Sequence, residues 1–423
     1  MTGGPRSLVD FGEVAQHLTP GASVVLHSAY AEPNFLAEEL AQAGQALQDV
    51  CVYTLMPTGL TPYAAPELDG HLRLRTFYPG KGLRAAVNAG RAEIIRSPLS
   101  AIPGLFRSRT LKADVLLLQL SPPDAQGRMS LGIAVDFMRA VLEQDPIVVA
   151  EVNPAMPHTC GDSSIGIGQV DYVVEARTPP NTIGASVPDE IDKRIAEHVA
   201  GLIGHGAVLQ VGIGSISDLV LGHLTHLRNL GIHSGIVTDA IVPLIQGGMV
   251  TNAGKRSFPG KTVATMAAGT QAFYDFLHQN PLVEFHPCDV THGAELLAGT
   301  EGLCAINTVL QIDLAGQANA ERIDGKTISS IGGLNDFAKG AVAAKGGRSI
   351  ITLRSASRDA QRSNILADYP AGVPVSLGAA DIDFVVTEHG VAAIRGLGPS
   401  ELALALIAVA HPDHRPALRR SLR

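Results

Sequence analysis

Ala207-Val-Leu-Gln-Val-Gly-Ile-Gly-Ser-Ile-Ser-Asp218 is the stretch that decides the fold. A β-branched apolar run meets two glycines and passes at once into a helical pattern. That is strand, tight turn and helix, the unit from which parallel α/β sheets are built. Gly212 and Gly214 let the backbone come close to a ligand. Ser215 or Ser217 is expected to cap the helix, whose first amides favour an anion. A dinucleotide fingerprint needs a third glycine at fixed spacing, and Ser217 stands there instead, so that signature fails. The stretch alone does not separate a phosphate loop from a plain βα turn.

Outward from it the same alternation recurs. Strands are expected at 23–26, 50–55, 72–77, 115–120, 147–152 and 172–175, with helices between them at 35–43 and 132–143. Thr178-Pro-Pro-Asn-Thr-Ile-Gly-Ala-Ser-Val-Pro188 breaks both periodicities and reads as a linker. A helix follows at 190–203, and strands resume near 208–211, 262–266, 308–313, 349–353 and 384–387. With 423 residues the chain exceeds one ordinary core, so two α/β domains are expected, at 1–180 and 189–423.

Composition narrows the function classes. Charged residues are 17% against 46% hydrophobic, which suits a buried globular chain and not a disordered one. A net charge of −8 without long runs, and no Trp, argue against a nucleic-acid partner. No apolar run reaches membrane-spanning length and the start lacks a signal core, so no membrane is expected. Cys51, Cys160, Cys288 and Cys304 are scattered, as reduced cytoplasmic thiols are. His286, Cys288 and His292 sit in a short His-Pro-Cys-Asp-Val-Thr-His run without a fourth ligand nearby, so no metal is expected.

A second glycine turn lies in Ile328-Ser-Ser-Ile-Gly-Gly-Leu-Asn-Asp-Phe337. Gly332 and Gly333 have room for a thioester or pantetheine arm, and Asp336 is placed to cap a helix or hold the loop. Lys255 and Arg256 lie in a glycine-flanked loop, either as a solvated pair or facing phosphates.

Taken together, these pieces resemble the acetyl-CoA hydrolase/CoA-transferase family. The resemblance runs through Val115-Leu-Leu-Leu-Gln-Leu-Ser-Pro-Pro-Asp-Ala-Gln-Gly127, Ile147-Val-Val-Ala-Glu-Val-Asn153, Val208-Leu-Gln-Val-Gly-Ile-Gly214, Asp313-Leu-Ala-Gly-Gln-Ala-Asn-Ala-Glu321, Gly332-Gly-Leu-Asn-Asp-Phe337 and Val385-Val-Thr-Glu-His-Gly390, in family order. It implies two open-sheet CoA-transferase-type domains with the active site in the cleft between them. It implies coenzyme A, as an acyl-CoA substrate, at Gly212, Ile213, Gly214, Ser215 and Ile216 and at Gly332 and Gly333. Arg358 matches a family lysine near the CoA, and arginine keeps that charge. Glu388 falls on the family's Thr-Glu-Tyr-Gly motif, with His389 in place of the aromatic residue.

One element departs from the family. Leu230-Gly-Ile-His-Ser-Gly-Ile-Val-Thr-Asp239 resembles the segment His-Thr/Ser-Glu-Met-x-x-Asp, whose glutamate is the covalent nucleophile, but this chain has Gly235 there. The family reaction passes through acyl-glutamyl anhydride and glutamyl-CoA thioester, and each needs a side-chain carboxylate. Ser234 offers only a hydroxyl. In a strand, His233 would share the face of position 235 and serve as a base. Glu151, near the end of one predicted strand, and Glu388, just after another, are alternative bases. Three functions compete: acyl-CoA-dependent transfer directly to water or another nucleophile, standard CoA transfer with a carboxylate from elsewhere, and CoA binding without catalysis. The partners expected are acyl-CoA and an acyl acceptor; a homodimer stays open.

Overall fold

Val115–Leu120 is buried at every position, on both faces of its strand. Such a run suits the centre of a parallel sheet covered by helices on both sides. In a computed structural model, which describes residues 4–184 and 187–422, it is a central strand of an eight-stranded sheet. The strand order is Arg6–Ser7, Tyr172–Glu175, Ile147–Val152, Val115–Leu120, Ser23–Leu26, Val50–Thr54, Leu72–Thr76, Ala92–Ile94. All its pairings are parallel.

The second large sheet has six strands, in the order Gly231–Ile232, Val208–Gln210, Leu303–Thr308, Arg348–Thr352, Phe384–Thr387, Gly390–Ala393. Its pairings are parallel except the last, a tight antiparallel return. From Val208–Gln210 the chain first builds outward to Gly231–Ile232, then crosses back to Leu303–Thr308. The strand order therefore reverses beside Val208–Gln210. Open α/β sheets bind ligands beyond the carboxyl ends of their strands at such a reversal.

The chain divides into two compact units, Met1–Gly184 with Val263–Thr291, and Ala185–Thr262 with His292–Arg423. The expected second domain at 189–423 is thus interrupted, because 263–291 groups with the first unit. The expected linker at 178–188 spans that division; its residues 185–186 lie outside the described ones. The helix expected at 132–143 shrinks to Met138–Leu142, since Gly132 (φ +62°) and Asp136 (φ +22°) leave the helical region before it. The strand expected at 308–313 breaks in two. Leu303–Thr308 lies in the six-stranded sheet, and Gln311–Asp313 joins a separate three-stranded one. The strand near 262–266 becomes Thr262–Ala264 and Met266–Ala267, outside both large sheets. The helix after the linker runs Glu190–Ala200, opened by the Asp189 carboxylate, which accepts from the amides of Ile191 and Asp192.

Candidate functional site

The glycine loop follows Val208–Gln210 at the strand-order reversal of the six-stranded sheet. Its helix, Ser215–His223, begins at Gly214 without a side-chain cap, so neither Ser215 nor Ser217 plays that part. Gly214 has φ +127° and ψ 170°, a backbone region open essentially to glycine alone. The Ser215 hydroxyl instead donates to Asp192 Oδ2 at 2.8 Å. Asp192 also accepts from Arg354 Nη2 at 2.5 Å, and Arg354 Nη1 reaches Asp189 Oδ2 at 2.8 Å. This chain of charges ties the start of the loop helix to the preceding helix and leaves its first amides without a capping side chain.

The segment that carries Gly235 lies at the carboxyl end of the neighbouring strand, Gly231–Ile232. It is stapled to the glycine loop on both sides. The Ser234 hydroxyl donates to the carbonyls of Val211 and Ile236, each at 2.8 Å, and Thr238 Oγ1 donates to Asp218 Oδ1 at 2.9 Å. Burial pushes the Asp218 carboxyl up. Ser234 is therefore a structural tie between two loops. The strand stops before position 235, which sits in a bend, so face-sharing by strand alternation does not extend from His233 to Gly235. Both nevertheless border one aromatic ring. The His233 ring stands 6.4 Å from that of Phe337, and a Cβ at Gly235 would lie 3.5 Å from Phe337 Cε2. That Cβ would also lie 2.8 Å from Nε2 of His292, whose ring packs edge-on against Phe337 at 4.7 Å. Sequence reading attached His292 to a metal run and missed this placement, since nothing local links residue 292 to residue 235.

Phe337 connects the second glycine turn to this place. It belongs to the helix Leu334–Ala343, which begins at Gly333 without a side-chain cap and follows Gly332 at φ +52°. Asp336 lies within the first turn of that helix. The loop 212–216, the bend at 235, His292 and the turn at 332–333 are thus joined through Val211, Ser234 and Phe337.

The alternative carboxylates are engaged elsewhere. Glu388, at the carboxyl end of Phe384–Thr387, accepts from Ser355 N at 3.0 Å and from Ser355 Oγ at 2.5 Å, one bond per oxygen. His389 Nε2 stands 3.5 Å from the same carboxylate, and burial lowers the His389 pKa. Glu151, in the first unit, accepts from the amides of Phe35 and Leu36 at 3.0 and 3.2 Å, at the start of helix Asn34–Gly44. Burial raises its pKa to about 7. A carboxyl raised this way favours the fold while protonated, and that contribution is lost as pH climbs from about 4.5 through about 7. Glu151→Gln should remove the loss. The melting temperature of wild type minus that of the variant should fall between pH 5 and pH 8, and a flat difference would reject the assignment.

The remaining expectations divide. Lys255 does not face a phosphate: it is 6% exposed, and Nζ donates to the carbonyls of Ile232 and Lys261 at 2.8 and 2.7 Å. A buried ammonium needs such acceptors, and the bare Gly231 gives its stem room, a Cβ there lying 3.1 Å from Lys255 Cδ. Arg256 is exposed, 4.0 Å from Glu301. Arg358 is exposed in the turn after Arg348–Thr352. His286 Nε2 lies 3.1 Å from Glu284, and Cys288 Sγ donates to the Leu99 carbonyl. Among the described residues no three His, Cys, Asp or Glu side chains are grouped to hold a metal.

The N-terminal domain model of the acetyl-CoA hydrolase/transferase family matches residues 5–188, and its C-terminal domain model matches 269–422. The 4-hydroxybutyrate coenzyme A transferase of Clostridium kluyveri is 36% identical over 413 residues, 98% of this chain and 96% of that protein. The chain belongs to the acetyl-CoA hydrolase/transferase family. Among solved structures, RipA from Yersinia pestis superposes with TM-score 0.91 at 30% identity, over 97% of this chain and 95% of RipA. The 4-hydroxybutyrate CoA-transferase of Porphyromonas gingivalis does so with TM-score 0.82 at 30% identity, over 97% and 96%. In this family member the glycine loop and the bend at 235 lie between the two matched domain segments. Among the described residues no helix is long and apolar enough to cross a membrane.

Proposed function

We propose that the chain is an acyl-CoA-dependent enzyme that moves the acyl group from CoA directly to water or another nucleophile, without a glutamyl-CoA intermediate. The thioester-bearing substrate is held at the loop 212–216 and the turn at Gly332 and Gly333. The observation that supports this best is Gly235 itself: the bend is tied to the glycine loop by Ser234 and Thr238, yet it carries no carboxylate. The imidazole of His292 borders the position and that of His233 packs on the same Phe337 ring, and either is suited to take a proton from an attacking nucleophile. Arg358 is the candidate cation for the CoA phosphates. A cytoplasmic setting fits four thiols with no disulfide among the described residues.

The resemblance to a 36% identical CoA transferase favours a second reading, carboxylate CoA transfer with Glu151 or Glu388 as the carrier. Its difficulty is that both carboxylates already accept hydrogen bonds from backbone amides. Trapping separates the readings. After incubation with acetyl-, propionyl- or butyryl-CoA, treatment with hydroxylamine or borohydride and peptide mass mapping should reveal no modified carboxyl. An adduct on Glu151 or Glu388 would restore the transferase reading, and one on Ser234 would indicate a different covalent route.

A further inference from the structure

Position 235 is not vacant. The volume that a side chain there would enter already holds the imidazole of His292, with Nε2 2.8 Å and Cε1 3.1 Å from the site of a Cβ. The ring is 1% exposed and packs edge-on against Phe337. A side chain at 235 would force this imidazole to shift, and the glycine leaves it in place. The His233 ring stands 6.4 Å from that of Phe337 and is not among the nearest groups to a Cβ at 235, whereas His292 touches the volume in question.

We propose that His292 is the catalytic base of this site, its imidazole standing where a side chain of residue 235 would otherwise point. Its setting supports that role. The bend at 235 is fastened to the glycine loop through Ser234, and Phe337 rises from the helix that starts at the second glycine turn. His292 is thus linked to both turns assigned to the thioester substrate, to one through the bend at 235 and to the other through Phe337. In the reaction, neutral Nε2 takes a proton from the attacking water as its oxygen adds to the thioester carbonyl. The C–S bond then breaks, and the departing CoA sulfur takes the proton back from the imidazolium. One acyl-CoA and one water give one carboxylic acid and one CoA thiol. An alcohol or amine acceptor follows the same course and yields an ester or amide.

The inference rests on the proposed acyl-CoA reading, and the test keeps the two apart. Full-length wild type, His292→Gln, His292→Ala and Gly235→Ala are compared by thiol release from acetyl-, propionyl- and butyryl-CoA and by calorimetric CoA affinity. Circular dichroism confirms folding. His292→Gln should lower kcat by about a hundredfold or more, the scale for losing a general base, with CoA affinity within about threefold. The limb of the wild-type pH–kcat profile that reports the base should vanish in the variant. Gly235→Ala, which displaces the ring without removing it, should lower kcat on its own and add no further loss in the His292→Ala background. It serves as the independent probe should His292→Gln fail to fold. Wild-type-like kcat, or an unchanged pH profile, in folded His292→Gln overturns the base assignment while leaving acyl-CoA turnover standing. Wild type that binds CoA yet releases no thiol from any of the three thioesters, in water or with an added alcohol or amine acceptor, overturns the acyl-transfer reading, and this one with it.

Discussion

Gly214→Val should cost the chain at least about a hundredfold in CoA affinity while the protein still folds. The reason lies in the backbone. A Cβ at Gly214 would meet nothing within 4 Å, so the substitution is not blocked by crowding. The residue sits at φ +127° and ψ 170°, where an L side chain costs about 1–3 kcal/mol. Valine would push the loop out of that conformation and move the amides at the start of Ser215–His223. Anion binding at a helix N-terminus depends on where those amides point. The strain falls on a half-exposed loop and not on the sheet core, so folding should survive. Calorimetry with CoA checks it, and unchanged affinity in a folded variant would remove the loop from the CoA site.

Gly235→Glu should fail to install a working carboxylate at this position. The incoming Cβ would lie 2.8 Å from His292 Nε2, closer than packed atoms approach, and the rest of the side chain needs the room the imidazole fills. Overpacking a buried place of this kind costs about 1–3 kcal/mol. A lower melting temperature and loss of thiol release are the expected result. The double variant Gly235→Glu/His292→Gly should recover most of the lost stability, and in it hydroxylamine should trap an acyl or CoA adduct at 235. A single variant as stable as wild type would show that His292 does not hold that space. A stable double variant without any adduct would show that the carboxylate, once seated, is not aligned with the thioester.

Much of this was legible in the residues. Runs such as Val115–Leu120 and Ile147–Val152 announce buried parallel strands, because a strand covered on both faces must be apolar at successive positions. The two glycine turns are legible for a similar reason: backbone with positive φ, as at Gly214 and Gly332, selects glycine locally. The family order of motifs also needed only the chain itself.

Features set by long-range packing were not legible. Ser215 reads as a helix cap, yet its hydroxyl turns to Asp192, which the sequence places on another helix. Lys255 reads as a surface charge, yet it is enclosed by carbonyls of its own unit. Glu388 reads as an available base, yet Ser355 occupies both its oxygens. His292 belongs by spacing to a run with Cys288, and only folding sets its ring against Gly235 and Phe337. Local periodicity and turn chemistry constrain a few neighbouring residues, so the sequence determined most of the strands and the two glycine turns. What fills the gap at 235 is decided by close packing between distant segments, which has no local signature.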